Sequence, residues 1–444
     1  MTRILFFLLS VIAFSKATHA AEVTGFELEN GMEVVVLEDH RAPVVVHMVW
    51  YRVGAADEPR GKSGIAHFLE HLLFKGTDDL AAGELSATVN RIGGSDNAFT
   101  SWDYTAYFQR VAAEHLELMM QMEADRMRDL EMSEEDVITE RQVVLEERGQ
   151  RVDSDPGALF REQRNAAQYL NHGYGIPIIG WRHELEQLNR EDAFAFYQQY
   201  YAPNNAILIV AGDVTPDEVR VLAEKHYGPR KANPDLQPRE RGQEPPQLAK
   251  RRLKYRDARI SQPYVTRSYL APERDSGDQF AGARLSMLAA VLGGDGATSV
   301  LGRKLQFEDQ KALFVQASYD GTALDNGTFN LVIAPRPDVS MDQAEAALDQ
   351  AIQEFIEEGV DPEQFARIKM QLRADRIYAE DNIQRLANRY GGALASGLTL
   401  EDIDAWPDIL QSVTEADVID AAREIFDLSQ AVTGWTMPLE AEGN

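Results

Sequence analysis

The succession of apolar runs, glycine stops and polar breaks at 251–444 repeats that at 21–226, and no other feature restricts the fold as strongly. Between the two copies, residues 227–250 hold Pro229, Pro234, Pro238, Pro245 and Pro246 among many charges and little apolar content. This composition marks a linker and a domain boundary. In the first copy, β-branched runs at 34–37 and 44–51 flank a polar turn ending in Pro43 and predict an antiparallel pair of strands. Residues 64–77, apolar and without proline, predict a buried helix of about three turns. Residues 97–108 predict two strands about a turn. Leu116, Met119, Met120, Ala124 and Met127 recur at helical spacing and predict a helix filling the core. In the second copy, 264–270 answers the strand ending at Tyr51, and 279–292, closed by Gly293-Gly294, answers the helix closed by Gly76. Segments 314–319 and 328–334 answer the strand pair at 97–108, and long helices follow in both copies. The fold class expected is α+β: two similar domains, each a mostly antiparallel sheet packed by helices.

At 444 residues the chain is too long for one core, which agrees with a duplicated architecture. Residues 1–20 stand apart: Arg3 leads an apolar run to Phe14, and Thr18 and Ala20 occupy the small-residue positions of a cleaved secretory signal. Export to the periplasm and no stable membrane insertion are expected. Domain limits follow as 21–226, linker 227–250 and 251–444. With no cysteine the exported chain has no disulfides, no thiolate metal ligand and no thiol nucleophile. The formal charge is −28; residues 1–20 carry Arg3, Lys16 and no acid, so the mature chain stands at −30. That argues against nucleic acid and anionic membrane surfaces as partners and is compatible with cationic peptides, although a solvated acidic surface is the commoner cause.

The chemistry concentrates in His67-Phe68-Leu69-Glu70-His71. Four residues apart on a helix, His67 and His71 present two imidazoles from one face, and Glu70 flanks them. Two imidazoles suit zinc, which lowers the pKa of a bound water, and a neighbouring carboxylate takes the proton. The order is the mirror of the better-known His-Glu-x-x-His zinc motif. A third ligand is needed. Ser133-Glu134-Glu135-Asp136 caps a helix carrying Glu140, Glu146 and Glu147, and spacing alone leaves open which of them reaches a metal. Matching Gly76 to Gly294 puts Leu285, Leu288 and Ala289 where His67, Glu70 and His71 stand, so the second copy is expected to bind no metal.

With these motifs in hand, the chain resembles the pitrilysin/insulinase-type zinc peptidases, among them short bacterial homologues and the mitochondrial processing peptidase β subunit. The resemblance spans the mature chain. It rests on 67–71 with Phe74-Lys75-Gly76-Thr77, on Gly93-Gly94-Ser95-Asp96-Asn97-Ala98-Phe99-Thr100, on the Glu140–Glu147 pair, on 174–181, and on Tyr200-Tyr201-Ala202-Pro203-Asn204-Asn205-Ala206 leading to Gly212-Asp213-Val214. It implies one Zn2+ held by His67, His71 and Glu147, with Glu70 as general base and Glu140 as support for the ligands. Asn97, Ala98, Phe99 and Thr100 would be the strand edge to which a peptide adds. A clam-like chamber admitting only short or unfolded peptides is implied as well. One departure stands out: the family's second domain supplies an Arg and, seven residues on, a Tyr, where this chain has Phe307 and Phe314. The expectation is a metal-bearing subunit whose paralogue provides that polar clamp. The rival reading is a peptide-binding or scaffolding subunit without chemistry. A metal-storage protein is disfavoured, because the remaining histidines of the mature chain are scattered.

Overall fold

The computed structural model describes residues 22–439. The expected signal segment, 1–20, lies outside the described residues. The first sheet is built from β1 (Glu22–Glu27), β2 (Glu33–Glu38), β3 (Val44–Tyr51), β4 (Ser95–Thr100), β5 (Thr105–Ala112) and β6 (Ala206–Gly212) in the order β1-β2-β6-β3-β5-β4. The second is built from β7 (Arg251–Arg256), β8 (Tyr264–Ala271), β9 (Ala312–Tyr319), β10 (Gly327–Pro335) and β11 (Val432–Met437) in the order β9-β10-β8-β11-β7. Taken from opposite ends the two orders superimpose, β2 on β7 and β4 on β9. Each sheet has one parallel pairing, β2 with β6 and β11 with β7, and is otherwise antiparallel. The duplication is thus present in hydrogen bonding as well as in chain order.

The expected pairing of β2 with β3 does not occur: β6 inserts between them, parallel to one and antiparallel to the other. The reason is hydrophobicity. Every residue of β6, Ala-Ile-Leu-Ile-Val-Ala-Gly, is buried, and a strand apolar on both faces belongs in the middle of a sheet.

Four helices frame the cavity and the junction of the halves, α1 (Ile65–Leu72), α2 (Glu134–Arg148), α3 (Pro156–Gln168) and α5 (Ile383–Ala395), while α4 (Phe280–Gly293) packs in the core of the second half. Helix α1 is shorter than expected, because Gly76–Thr77 pairs as a short strand with Leu130–Glu131. One face of each sheet packs on helices of its own half. The other face receives a helix from the opposite half. Leu386, Ala387, Tyr390 and Leu394 of α5 share a buried cluster with Val46, Met48, Trp50, Ile207 and Ile209 of the first sheet. Reciprocally, α3 lies on β7, β8 and β11, where Phe160 stacks on Tyr255 and Gln168 accepts from Ser268 Oγ at 2.7 Å. The halves are interlocked, not merely tethered. Among the described residues no helix is long and apolar enough to cross a membrane.

Candidate metal centre

Helix α1 begins at Gly64, whose φ of +86° and close approach to the Ile179 carbonyl (a Cβ there would sit at 2.6 Å) admit only glycine without strain. The Glu58 carboxylate accepts from the Gly64 and Ala66 amides at 2.9 and 3.0 Å, satisfying free N–H groups of the first turn. Ile65, Ala66, Phe68, Leu69 and Leu72 anchor the helix in the core. His67, Glu70 and His71 are thereby directed to the other side, facing α2.

Helix α2 starts at Ser133, which accepts from the Asp136 amide while Asp136 accepts from the Ser133 amide. Its helical phase turns Glu140 and Glu147 towards α1 and leaves Glu146 exposed. Glu147 Oε2 lies 3.5 Å from His67 Nε2 and 3.3 Å from His71 Nε2, and it is buried with no hydrogen bond of its own. Ligands bound to zinc at about 2.0–2.2 Å at the corners of a tetrahedron stand about 3.4 Å apart. The Glu147 oxygen faces both imidazole nitrogens at that spacing, the three donor atoms lie within 4.8 Å of one another, and the set of two imidazoles and a carboxylate is one zinc accepts.

The surroundings hold these groups in place. His71 Nδ1 donates to Glu140 Oε1 at 2.9 Å, and Glu140 Oε2 accepts from Lys75 at 2.6 Å. This fixes the His71 tautomer with Nε2 turned inward. Burial pulls the His71 pKa down, but Glu140 and Glu147 outweigh it and raise it to about 9. His67 has no such support: burial, then the neighbouring His71, lowers it to about 4 and keeps the ring neutral. Burial holds the Glu70 pKa above the usual carboxylate range, although Thr100 Oγ1 donates to its Oε2 at 2.6 Å. Arg151 pairs with Glu147 Oε1 at 2.7 Å.

These groups open onto a cavity of about 760 Å³. Asn97, Ala98, Phe99 and Thr100 of β4 form one wall, and β4 is the free edge of its sheet. Pro177, Ile178 and Ile179 form another, and Ala158, Arg161, Glu162 and Asn165 of α3 close the end. The expected chamber takes a narrower form within one chain: every lining residue falls between 67 and 179. Phe307 and Phe314 are outside this lining, 60% and 48% exposed on the second half. Helix α4 presents Leu285, Leu288 and Ala289 to its own core. Helix α3 is the element that sequence reasoning missed. Its residues 158, 161, 162 and 165 follow one helical face, which was the available signal.

A duplicated α+β fold with an inverted His-x-x-Glu-His helix answered by a distant carboxylate defines a class of two-domain metallopeptidase-like proteins. Residues 33–181 match the family model described as insulinase (peptidase family M16), and residues 187–372 match the peptidase M16 inactive domain. The chain is 32% identical over 419 residues to a zinc protease, PqqE, of Helicobacter pylori, covering 93% of this chain and 92% of that one. A crystal structure of a protease from Helicobacter pylori superimposes with a TM-score of 0.87 at 27% identity, over 94% of this chain and 99% of that one. The periplasmic protease PqqL of Escherichia coli shares the fold, with a TM-score of 0.81 at 19% identity over 95% of this chain and 48% of that one. The chain belongs to the insulinase-type peptidase family M16. The match described as inactive falls on the half whose α4 carries Leu285, Leu288 and Ala289.

Proposed function

We propose that the chain is a zinc-dependent endopeptidase acting on short or unfolded peptides in the periplasm. His67 Nε2, His71 Nε2 and Glu147 Oε2 would hold one Zn2+, which supplies a water of lowered pKa and polarises the scissile carbonyl. The observation that carries this reading is the 3.3 and 3.5 Å spacing of the Glu147 oxygen from the two imidazoles, with Glu70 beside them. Glu70 takes the proton of the attacking water and passes it to the leaving amine; Thr100 holds one of its oxygens and leaves the other for this work. The edge of β4 takes the substrate backbone as an added strand, which reads little of the sequence. Glu140 orients His71 without touching substrate. Periplasmic location is supported by the apolar start of the chain and by the fold shared with the periplasmic protease PqqL.

The substitution Glu70→Gln tests the mechanism. Zinc content should stay at one per chain while kcat/KM falls by about 10²–10⁴-fold. Turnover at the wild-type level would remove Glu70 from the chemistry.

The cavity lacks a contribution from the second half, and that favours a pairing with a second chain that supplies Arg and Tyr donors to the developing oxyanion. The Escherichia coli protein carries this fold on a chain about twice as long, which leaves room for a second such unit. Mixing the purified chain with its paralogue should raise activity strongly. Full activity of the chain alone would defeat the division of labour. The same missing clamp favours, as second reading, a peptide-binding subunit without turnover; in that case zinc removal and Glu70→Gln would both leave its function intact.

A further inference from the structure

We propose that the end of the cavity built by α3 is an anion subsite, in which the Arg161 guanidinium receives a carboxylate of the peptide. This rests on the peptidase reading of the same cavity. Ala158, Arg161, Glu162 and Asn165 lie on one face of α3 and line the space that holds His67, Glu70, His71 and Glu147.

Apart from Glu70, whose hydrogen-bond partner is the neutral Thr100 hydroxyl, the other charges that line the cavity are matched. Glu147 pairs with Arg151 at 2.7 Å and Glu140 with Lys75 at 2.6 Å. Glu162 takes both Arg148 nitrogens, at 2.7 and 2.9 Å, and Thr100 donates to Glu70. Arg161 is exposed and has no carboxylate partner among the described residues. Its charged neighbour is Arg164, a like charge: burial first, then Arg161, holds the Arg164 pKa below its ordinary value. Positive potential therefore accumulates here in a chain with 72 acidic residues against 44 Lys and Arg. Asn165, one turn on, adds an amide donor.

A planar guanidinium beside a second donor fits a carboxylate, which it binds through two parallel hydrogen bonds. The overall negative charge does not oppose this locally, because fields from distant surface charges fade within about 10 Å at ordinary salt. The carboxylate can belong to an Asp or Glu side chain or to the peptide C-terminus, and the recognition chemistry is shared.

The test uses internally quenched peptides identical except for Glu, Gln or Lys at one position near the scissile bond, each with a free or an amidated C-terminus. Wild type should favour Glu over Lys in kcat/KM by about tenfold at one position, and Arg161→Glu should invert that ratio. Arg161→Lys should keep its direction, and about 0.5 M salt should shrink it. If the preference follows amidation and not the side chain, the anion is the C-terminal carboxylate. A Glu/Lys ratio and an amidation effect that both shift less than about twofold between wild type and Arg161→Glu would overturn the proposal.

Binding of the labelled peptides to Glu70→Gln, with and without Arg161→Glu, is read by fluorescence anisotropy and needs no turnover. Absence of hydrolysis by wild type would defeat the peptidase reading, while the order of these affinities would still decide for or against the subsite.

Discussion

Glu140 lies between His71 and Lys75, accepting from one with each oxygen. It is 9% exposed, so neither bond competes with much water. Its effect on a metal would be indirect: it fixes which His71 nitrogen faces inward and how firmly. Glu140→Gln keeps the shape but replaces one acceptor by an NH₂ that cannot accept from Lys75 or His71. Zinc affinity should fall about 10–100-fold, measured by competition with a chelator and independent of any activity. An unchanged affinity would mean that helix packing alone aligns His71. The choice among Glu140, Glu146 and Glu147 was not legible from spacing, because the angular phase of α2 against α1 depends on packing outside both. The resemblance to the family selected Glu147, and the geometry brings Glu147, not Glu146, to the two imidazoles.

At the scale of elements, the exchange of α3 and α5 relies on two glycines. Gly391 of α5 lies against the Trp50 indole, where a Cβ would approach to 2.1 Å, and Gly434 of β11 lies against the Phe160 ring, where it would approach to 2.4 Å. Alanine normally stabilises a helix interior by about 1 kcal/mol over glycine. At Gly391 the clash with a buried indole reverses the sign, and Gly391→Ala should destabilise by about 1–3 kcal/mol in denaturant unfolding. A neutral or stabilising result would show that α5 can shift off the first sheet without loss. Both helices and all long strands have local signals in the sequence, but the sheet on which each helix lies does not. An apolar stripe encodes that a face is buried, not what buries it.

For the whole molecule, Arg241 in the proline-rich segment 227–250 ties the halves together. Its guanidinium is 5% exposed and binds Asp57 at 2.9 and 3.0 Å and Asp103 in the first half, and Asp325 at 2.9 Å in the second. Tyr174 donates to Asp103 and accepts from the Leu324 and Asp325 amides, drawing the same groups closer. Arg241→Leu removes the guanidinium that binds two buried carboxylates, leaving Arg239 as the positive charge near both, and should destabilise by about 3 kcal/mol in denaturant unfolding. Acid should act on the same junction. His172 is the first cause, with Arg241 behind it and burial opposing, that holds Asp325 below its ordinary pKa. A carboxylate lowered in the folded state lends stability that is complete above its unfolded pKa of about 3.9. That stability is lost as pH falls below this value through the lower folded one. The wild-type melting temperature should therefore drop more steeply below about pH 4 than that of Asp325→Asn; parallel curves would show that this carboxylate does not sense acid.

By itself the sequence determined the duplication, most of the strands, the two imidazoles with their attendant Glu70, and the apolar residues that stand in their place in the second copy. These are patterns read within a few residues, or as a repeat of such patterns, where periodicity and spacing are set by the backbone. Only the tertiary structure decided the central place of β6, the swap of helices between halves, the enclosure of the cavity by α3 and the unmatched charge of Arg161. Each of those depends on which distant surfaces exclude water together, and a linear order of residues does not carry that information.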